Sequence, residues 1–70
     1  MSELGEKVDR ILELLNKEKT MTVEELKKKI FLKDASLLYF MHHGELIELK
    51  KGKAMITDFG AMIISAELSL

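Results

Sequence analysis

Residues 37–64 read LLYFMHHGELIELKKGKAMITDFGAMII, and this stretch decides the fold. An apolar helical segment ends at Gly44, a residue type that commonly stops a helix in the left-handed conformation. Two short runs of alternating polarity follow, at 45–49 and 54–57, with lysines and one glycine between them. Alternation at period two, interrupted by a glycine-containing turn, is typical of a β-hairpin. The order predicts a helix, a hairpin and a further helix.

The tip of this hairpin fixes the register of the two strands. A two-residue turn at Lys51 and Gly52 is predicted to close it. The pairs on its inner face are then Leu49 with Ala54 and Ile47 with Ile56. Three lysines remain at the tip, Lys50, Lys51 and Lys53, where they suit a phosphate backbone better than a buried pocket.

Two amphipathic helices precede the stretch. The first is predicted over residues 3–17, where Val8, Ile11, Leu12 and Leu15 recur at helical spacing. A short extended piece at Thr20 and Met21 follows. Thr22 and Glu25 form a capping box that starts the second helix, which we expect to end near Ile30.

Asp34 is predicted to cap a third helix that ends at His43. We take Leu37, Phe40 and Met41 as its buried stripe, with Leu38 at the boundary. The outward residues are then Ser36, Tyr39, His42 and His43.

Asp58 is predicted to cap a last helix. Its inward stripe would be Phe59, Met62, Ile63 and Ala66. The phenylalanines and methionines of the chain are accordingly expected in the core.

Length and composition restrict the class of protein. Seventy residues make one domain, 1–70, and nearly half of them are apolar, too many for a disordered segment. No cysteine is present, which excludes disulfides and thiolate metal sites and favours a reducing compartment, the cytoplasm. Apolar runs such as 61–64 are far too short to cross a bilayer, so we expect no membrane.

Charge is segregated along the chain although its total is only −1. Residues 27–53 carry seven lysines and three acidic side chains, net +4, whereas both flanks are acidic. A concentrated positive segment favours a polyanionic partner. The alternative is that these lysines form only a solvated surface, since lysine-rich strand edges also discourage aggregation.

The order of elements resembles a known family. The third helix leading into His43-Gly44-Glu45-Leu46-Ile47 is similar to the recognition helix and first wing strand of small prokaryotic winged helix-turn-helix regulators. The step Ile56-Thr57-Asp58-Phe59-Gly60 is similar to the leucine-threonine-x-x-glycine step that leads from their wing into the last helix. The resemblance implies an α+β, mostly helical domain of three helices, a two-stranded wing and a C-terminal helix.

That resemblance also implies binding to double-stranded DNA, and hence transcription regulation, with the third helix in a major groove. The residues that it places in contact with DNA are Lys28, Lys33, Ser36, Tyr39, His42, Lys50, Lys51 and Lys53. The third helix carries no Arg, Asn or Gln, the side chains that read guanine and adenine edges. Specificity is therefore expected to be weak or based on DNA shape. The alternative function is a winged-helix module that docks another protein.

Surplus apolar surface on the first and last helices predicts a homodimer through these helices; alternatively, both stripes close the core of one chain. The chain is not expected to be an enzyme or to need a cofactor, because it has no glycine-rich phosphate loop and its histidines lack a nucleophile to activate. His42 and His43 are adjacent, so their side chains diverge and do not chelate one metal.

Overall fold

The computed structural model describes residues 3–68, with side chains for residues 5–66. Within these bounds the chain is α+β and mostly helical, as predicted. The elements are α1 (Glu3–Glu18), β1 (Thr20–Thr22), α2 (Val23–Ile30), α3 (Ser36–His43), β2 (Ile47–Lys50), β3 (Lys53–Ile56) and α4 (Asp58–Leu68).

The three strands form one antiparallel sheet in the order β1-β3-β2. The predicted hairpin register is confirmed, with Leu49 opposite Ala54 and Ile47 opposite Ile56. Lys51 and Gly52 have φ values of 51° and 75°, the left-handed pair that a type I′ turn requires. The short extended piece forms the third strand, because Met21 pairs with Ala54.

One core joins the helices to the inner face of the sheet. Its fully buried large side chains are Ile11, Leu12, Leu15, Leu26, Leu38, Met41, Ile47 and Ile64. Three of them belong to the predicted stripe of α1, which packs on α4, β3 and α2. The apolar stripe of α1 therefore closes the core of a single chain.

The predicted capping box at the start of α2 is confirmed. The Glu25 amide donates to Thr22 Oγ1 at 3.1 Å, and the Thr22 amide donates to Glu25 Oε1 at 3.0 Å. The Thr22 hydroxyl also donates to Glu25 Oε1 at 3.0 Å, and the two bonds that the carboxylate accepts from the Thr22 amide and hydroxyl hold the pKa of Glu25 below its ordinary value. The ionised carboxylate thus fixes the junction between β1 and α2.

The third helix ends at His43 as predicted, but the left-handed stop predicted for Gly44 is wrong. Gly44 is not left-handed, since its φ is −82°, and Glu45 takes that conformation with φ 63°. The Leu46 amide donates to Met41 O and the Glu45 amide to His42 O, both at 3.0 Å, which completes a Schellman motif one residue later than predicted. Burial of the core side chains Met41 and Ile47 on either side of this motif sets its position.

At the start of α4, Thr57 takes the capping role predicted for Asp58. Thr57 Oγ1 accepts from the Gly60 amide at 3.0 Å and also lies 3.0 Å from Leu46 O. Gly60 is buried at this corner. The threonine-x-x-glycine step therefore has a mechanical basis: the threonine caps the helix and the glycine allows its close approach to the chain before β2.

The predicted inward face of α3 is confirmed at Met41 but not at Phe40, and that of α4 is displaced by one position. Leu38 and Met41 are fully buried on α3, whereas Phe40 is 66% exposed. On α4, Ile64 is buried, Ile63 is half-buried, Ala66 is exposed, and Phe59 and Met62 are 46% and 61% exposed. Phe31 is also outside, at 80% exposure, so none of the three phenylalanines lies in the core. Within residues 3–68, no helix combines the length and apolar character needed to cross a bilayer.

Candidate nucleic-acid interface

The hairpin lysines occupy the outer face of the sheet. Lys50 and Lys53 are direct cross-strand partners, and both are exposed. With Lys51 they line a depression of about 230 Å³, together with Thr20 and Met55. No carboxylate belongs to this lining among the described side chains. We call this region the hairpin depression.

The tip of the hairpin is attached to the start of α2 and does not project freely. The Val23 amide donates to Gly52 O at 2.9 Å, and Thr22 pairs with Lys53 in the sheet. The tip lysines are thus held next to the N-terminus of α2, whose first turn carries two acidic side chains that offset the positive potential of its backbone dipoles. Backbone hydrogen bonds thus fix the hairpin tip relative to α2, whereas the lysine side chains themselves are exposed.

The three lysines of α2 differ in burial and in ion pairing. Lys27 is half-buried, and its Nζ lies 3.8 Å from Glu24 Oε1, the one direct ion pair among residues 5–66. Lys28 and Lys29 are exposed. Lys28 therefore remains accessible to phosphate, as predicted, although it lines neither the hairpin depression nor the groove described next.

Lys33 and Ser36 lie at the corner between α2 and α3. They line a groove of about 440 Å³, which we call the corner groove; its other lining residues are Lys7, Phe31, Leu32, Asp34, Leu37 and Phe40. Asp34 Oδ1 accepts from the Ser36 amide at 2.9 Å, which holds the pKa of Asp34 below its ordinary value. Asp34 thus binds the first amide of α3, but the cap position predicted for it is occupied by Ala35.

Tyr39 lies one turn after Ser36 on α3 and is 57% exposed, on the outward side as predicted. The Tyr39 amide donates to Ala35 O at 3.0 Å, so the backbone at this point is held in the helix. Its ring and hydroxyl face solvent and are free to contact a ligand.

His42 lies in different surroundings. Its Nδ1 is 3.2 Å from Ile47 O, and its ring lines a depression of about 480 Å³ whose acidic members are Glu45, Glu48 and Asp58. The ring of His43 is 6.0 Å away, centroid to centroid. No group of three or more His, Cys, Asp or Glu side chains in the described part of the chain is arranged to hold a metal ion. Three carboxylates make this the least favourable of the predicted positions for a phosphate.

Five of the eight predicted contact residues therefore form two groups on separate depressions, while Lys28 and Tyr39 line neither and His42 lies on an acidic surface. Sequence reasoning missed Phe31, Phe40 and Lys7 as members of the corner groove. Lys7 precedes Leu37 by thirty residues, so no local pattern relates them. Comparisons with protein-family models, with curated proteins and with solved structures give no significant match for this chain.

Proposed function

We propose that this chain is a winged helix-turn-helix protein that binds double-stranded DNA and regulates transcription. The element order α1-β1-α2-α3-β2-β3-α4 and the sheet order β1-β3-β2 support this class. In this arrangement α3 is the recognition helix, and the β2–β3 hairpin is a short wing attached to α2.

The observation that carries the proposal is the like-charge pair of Lys50 and Lys53. Like charges directly opposite each other destabilise a sheet. The third lysine, Lys51, occupies a left-handed position that Asn or Gly would fill with less strain. The fold therefore gains nothing from three cations at this tip, whereas a phosphate backbone relieves their repulsion.

The residues predicted to contact DNA outside the hairpin have different roles, which depend on the charge and exposure of their surroundings. Lys28 and Lys33 would bind phosphates on either side of the recognition helix. Ser36 and Tyr39 would face the bases. The acidic neighbours of His42 favour a structural role for its ring, at the start of β2.

Fluorescence anisotropy with a labelled duplex of about two helical turns tests the proposal. Five lysine contacts per protomer predict a slope of about −4.5 for the logarithm of affinity against that of salt concentration. A fourfold rise in salt should then weaken binding about 500-fold. Absence of binding at 50 mM salt, or binding with a slope near zero, would contradict the proposal.

We also propose that two protomers assemble through α4, because Phe59 and Met62 lie outside the core, whereas the apolar stripe of α1 is buried within one chain. Two-fold symmetry would place two α3 helices on successive half-sites, as a cytoplasmic regulator of this class requires. Sedimentation of the same samples, at two protein concentrations with and without duplex, gives the oligomeric state. A monomer that ignores DNA would favour the second candidate, a docking module, for which the same exposed side chains of α4 are the supporting observation.

A further inference from the structure

We infer that the corner groove binds an unpaired base of DNA, stacked against Phe31 and Phe40, with the adjoining phosphates on Lys7 and Lys33. This inference rests on the proposed DNA-binding function and extends it to single-stranded or locally opened DNA. It assigns a role to aromatic side chains that the core does not use.

Phe31 is the strongest single indication. It follows α2 in the left-handed conformation, with φ 60° and ψ 48°, where a glycine or asparagine would be least strained. The Leu32 amide donates to Lys27 O at 2.9 Å. The end of α2 is therefore held by backbone hydrogen bonds, which do not require an aromatic side chain at position 31. The ring is also 80% exposed. Phenylalanine at this position costs the fold free energy in two ways, because its backbone is strained and its apolar ring stays in water. A residue that the fold does not favour is explained if the ring binds a ligand.

The corner groove offers two separate aromatic rings to a ligand. Phe31 and Phe40 line the same groove but do not contact each other, since the one ring pair in contact among the described residues is His42 with His43. Leu32 and Leu37 are half-buried and pack against the core, so they form a fixed floor. A volume of about 440 Å³ lies within the usual range of small-molecule sites, roughly 300–1,000 Å³.

The charges of the groove favour a nucleic acid over a neutral apolar partner. Lys7 and Lys33 lie in the lining, and the one carboxylate there, Asp34, already accepts the Ser36 amide. Aromatic rings beside lysines are the combination with which single-stranded nucleic acids are held, because every base presents a π-face whatever its sequence. The absence of Arg, Asn and Gln from α3 is consistent with binding through stacking and not through base edges.

The experiment uses a 12-nucleotide single strand with one central 2-aminopurine and, in parallel, the same sequence as a duplex. Binding of the unchanged protein should quench the 2-aminopurine fluorescence of the single strand. Phe31→Gly and Phe40→Ala should each weaken single-strand binding about 10-fold, within the range measured for loss of one stacked base. Duplex affinity should change less than about 2-fold. His43→Ala, which removes an exposed aromatic ring outside the groove, should leave both affinities unchanged.

Stability separates a binding role from a structural one. Phe31→Gly relieves the left-handed strain, so its unfolding midpoint should rise although its single-strand affinity falls.

Quenching by the unchanged protein that neither groove variant reduces would overturn the inference. So would salt-dependent duplex binding without single-strand binding, and in that case the proposed function stands. Failure to bind either DNA would overturn both. If an acidic amphipathic peptide occupied the groove in competition assays while the single strand did not bind, the site would belong to a protein partner.

Discussion

Replacing Lys50, Lys51 and Lys53 by Gln, Asn and Gln is expected to weaken duplex binding about 30-fold at moderate salt. This corresponds to roughly 0.7 kcal/mol for each cation, within the range of exposed charge interactions. The salt slope should become shallower by about 2.7, because each lost phosphate contact removes about 0.9. Anisotropy titrations at several salt concentrations measure both quantities.

The same three substitutions should stabilise the fold. The change removes the repulsion between Lys50 and Lys53, and it places Asn before Gly52, the residue pair that a type I′ turn favours. We expect the free energy of unfolding to rise by about 0.5 kcal/mol, measured by urea denaturation. A gain in stability with a loss of affinity is the signature of side chains retained for binding.

A matched control removes three charges from another basic region. Arg10, Lys17 and Lys29 line a depression between α1 and α2 that also contains Glu13. Changing all three to Gln alters the net charge by the same amount. If this control weakens duplex binding as much as the hairpin variant does, affinity follows total charge and the hairpin has no special role.

Gly60→Ala is expected to destabilise the fold by about 3 kcal/mol, the upper part of the range for overpacking. A Cβ at this position would clash with the carbonyl oxygen of Leu46 and would lie 3.1 Å from Ile56 Cγ1 and 3.2 Å from Leu12 Cδ2. The carbonyl is backbone, held by the amide and hydroxyl of Thr57, so it cannot move aside as a flexible side chain would. Urea denaturation of the variant measures the loss.

Gly44→Ala is the control for this prediction. A Cβ there would meet only the carbonyl oxygens of Met41 and Phe40, each at 3.7 Å, and the backbone is not left-handed. We expect no loss, and a gain of up to about 0.5 kcal/mol from the lower entropy of the unfolded chain. A cost of about 1 kcal/mol for Gly44→Ala would instead support the left-handed role that the sequence alone suggests for Gly44, and a neutral Gly60→Ala would contradict the close approach described for Gly60.

Local hydrogen-bonding patterns made the hairpin and the second helix predictable. The Lys51-Gly52 turn determines the register of its strands, and the Thr22–Glu25 box determines where α2 begins. The residues that form each of these two motifs lie within a few positions of one another. The conformation of each motif therefore depends little on the rest of the chain. The pairing of Thr20–Thr22 with β3 depends on residues more than thirty positions away and was not predictable.

Helix faces were harder to assign because two stripes fit the same helix. On α3, Leu37 with Phe40 and Leu38 with Met41 have equal spacing and similar hydropathy. The contact with β2 selects the second pair. The same competition on α4 left Phe59 and Met62 outside. The aromatic members of the corner groove were hidden for this reason: a phenylalanine at helical spacing is read as core, and only its observed exposure shows otherwise.

The most direct test of the account is a ¹H–¹⁵N NMR titration of the protein with a short DNA duplex. We expect the largest amide shifts at residues 50–53 and at Ser36 and Tyr39, with shifts at Lys28 and Lys33. Amides near Glu45 and Asp58, beside His42, should change little. Shifts concentrated on that acidic surface, or on α4 alone, would contradict the claim that hairpin lysines and the exposed side of α3 bind one DNA molecule.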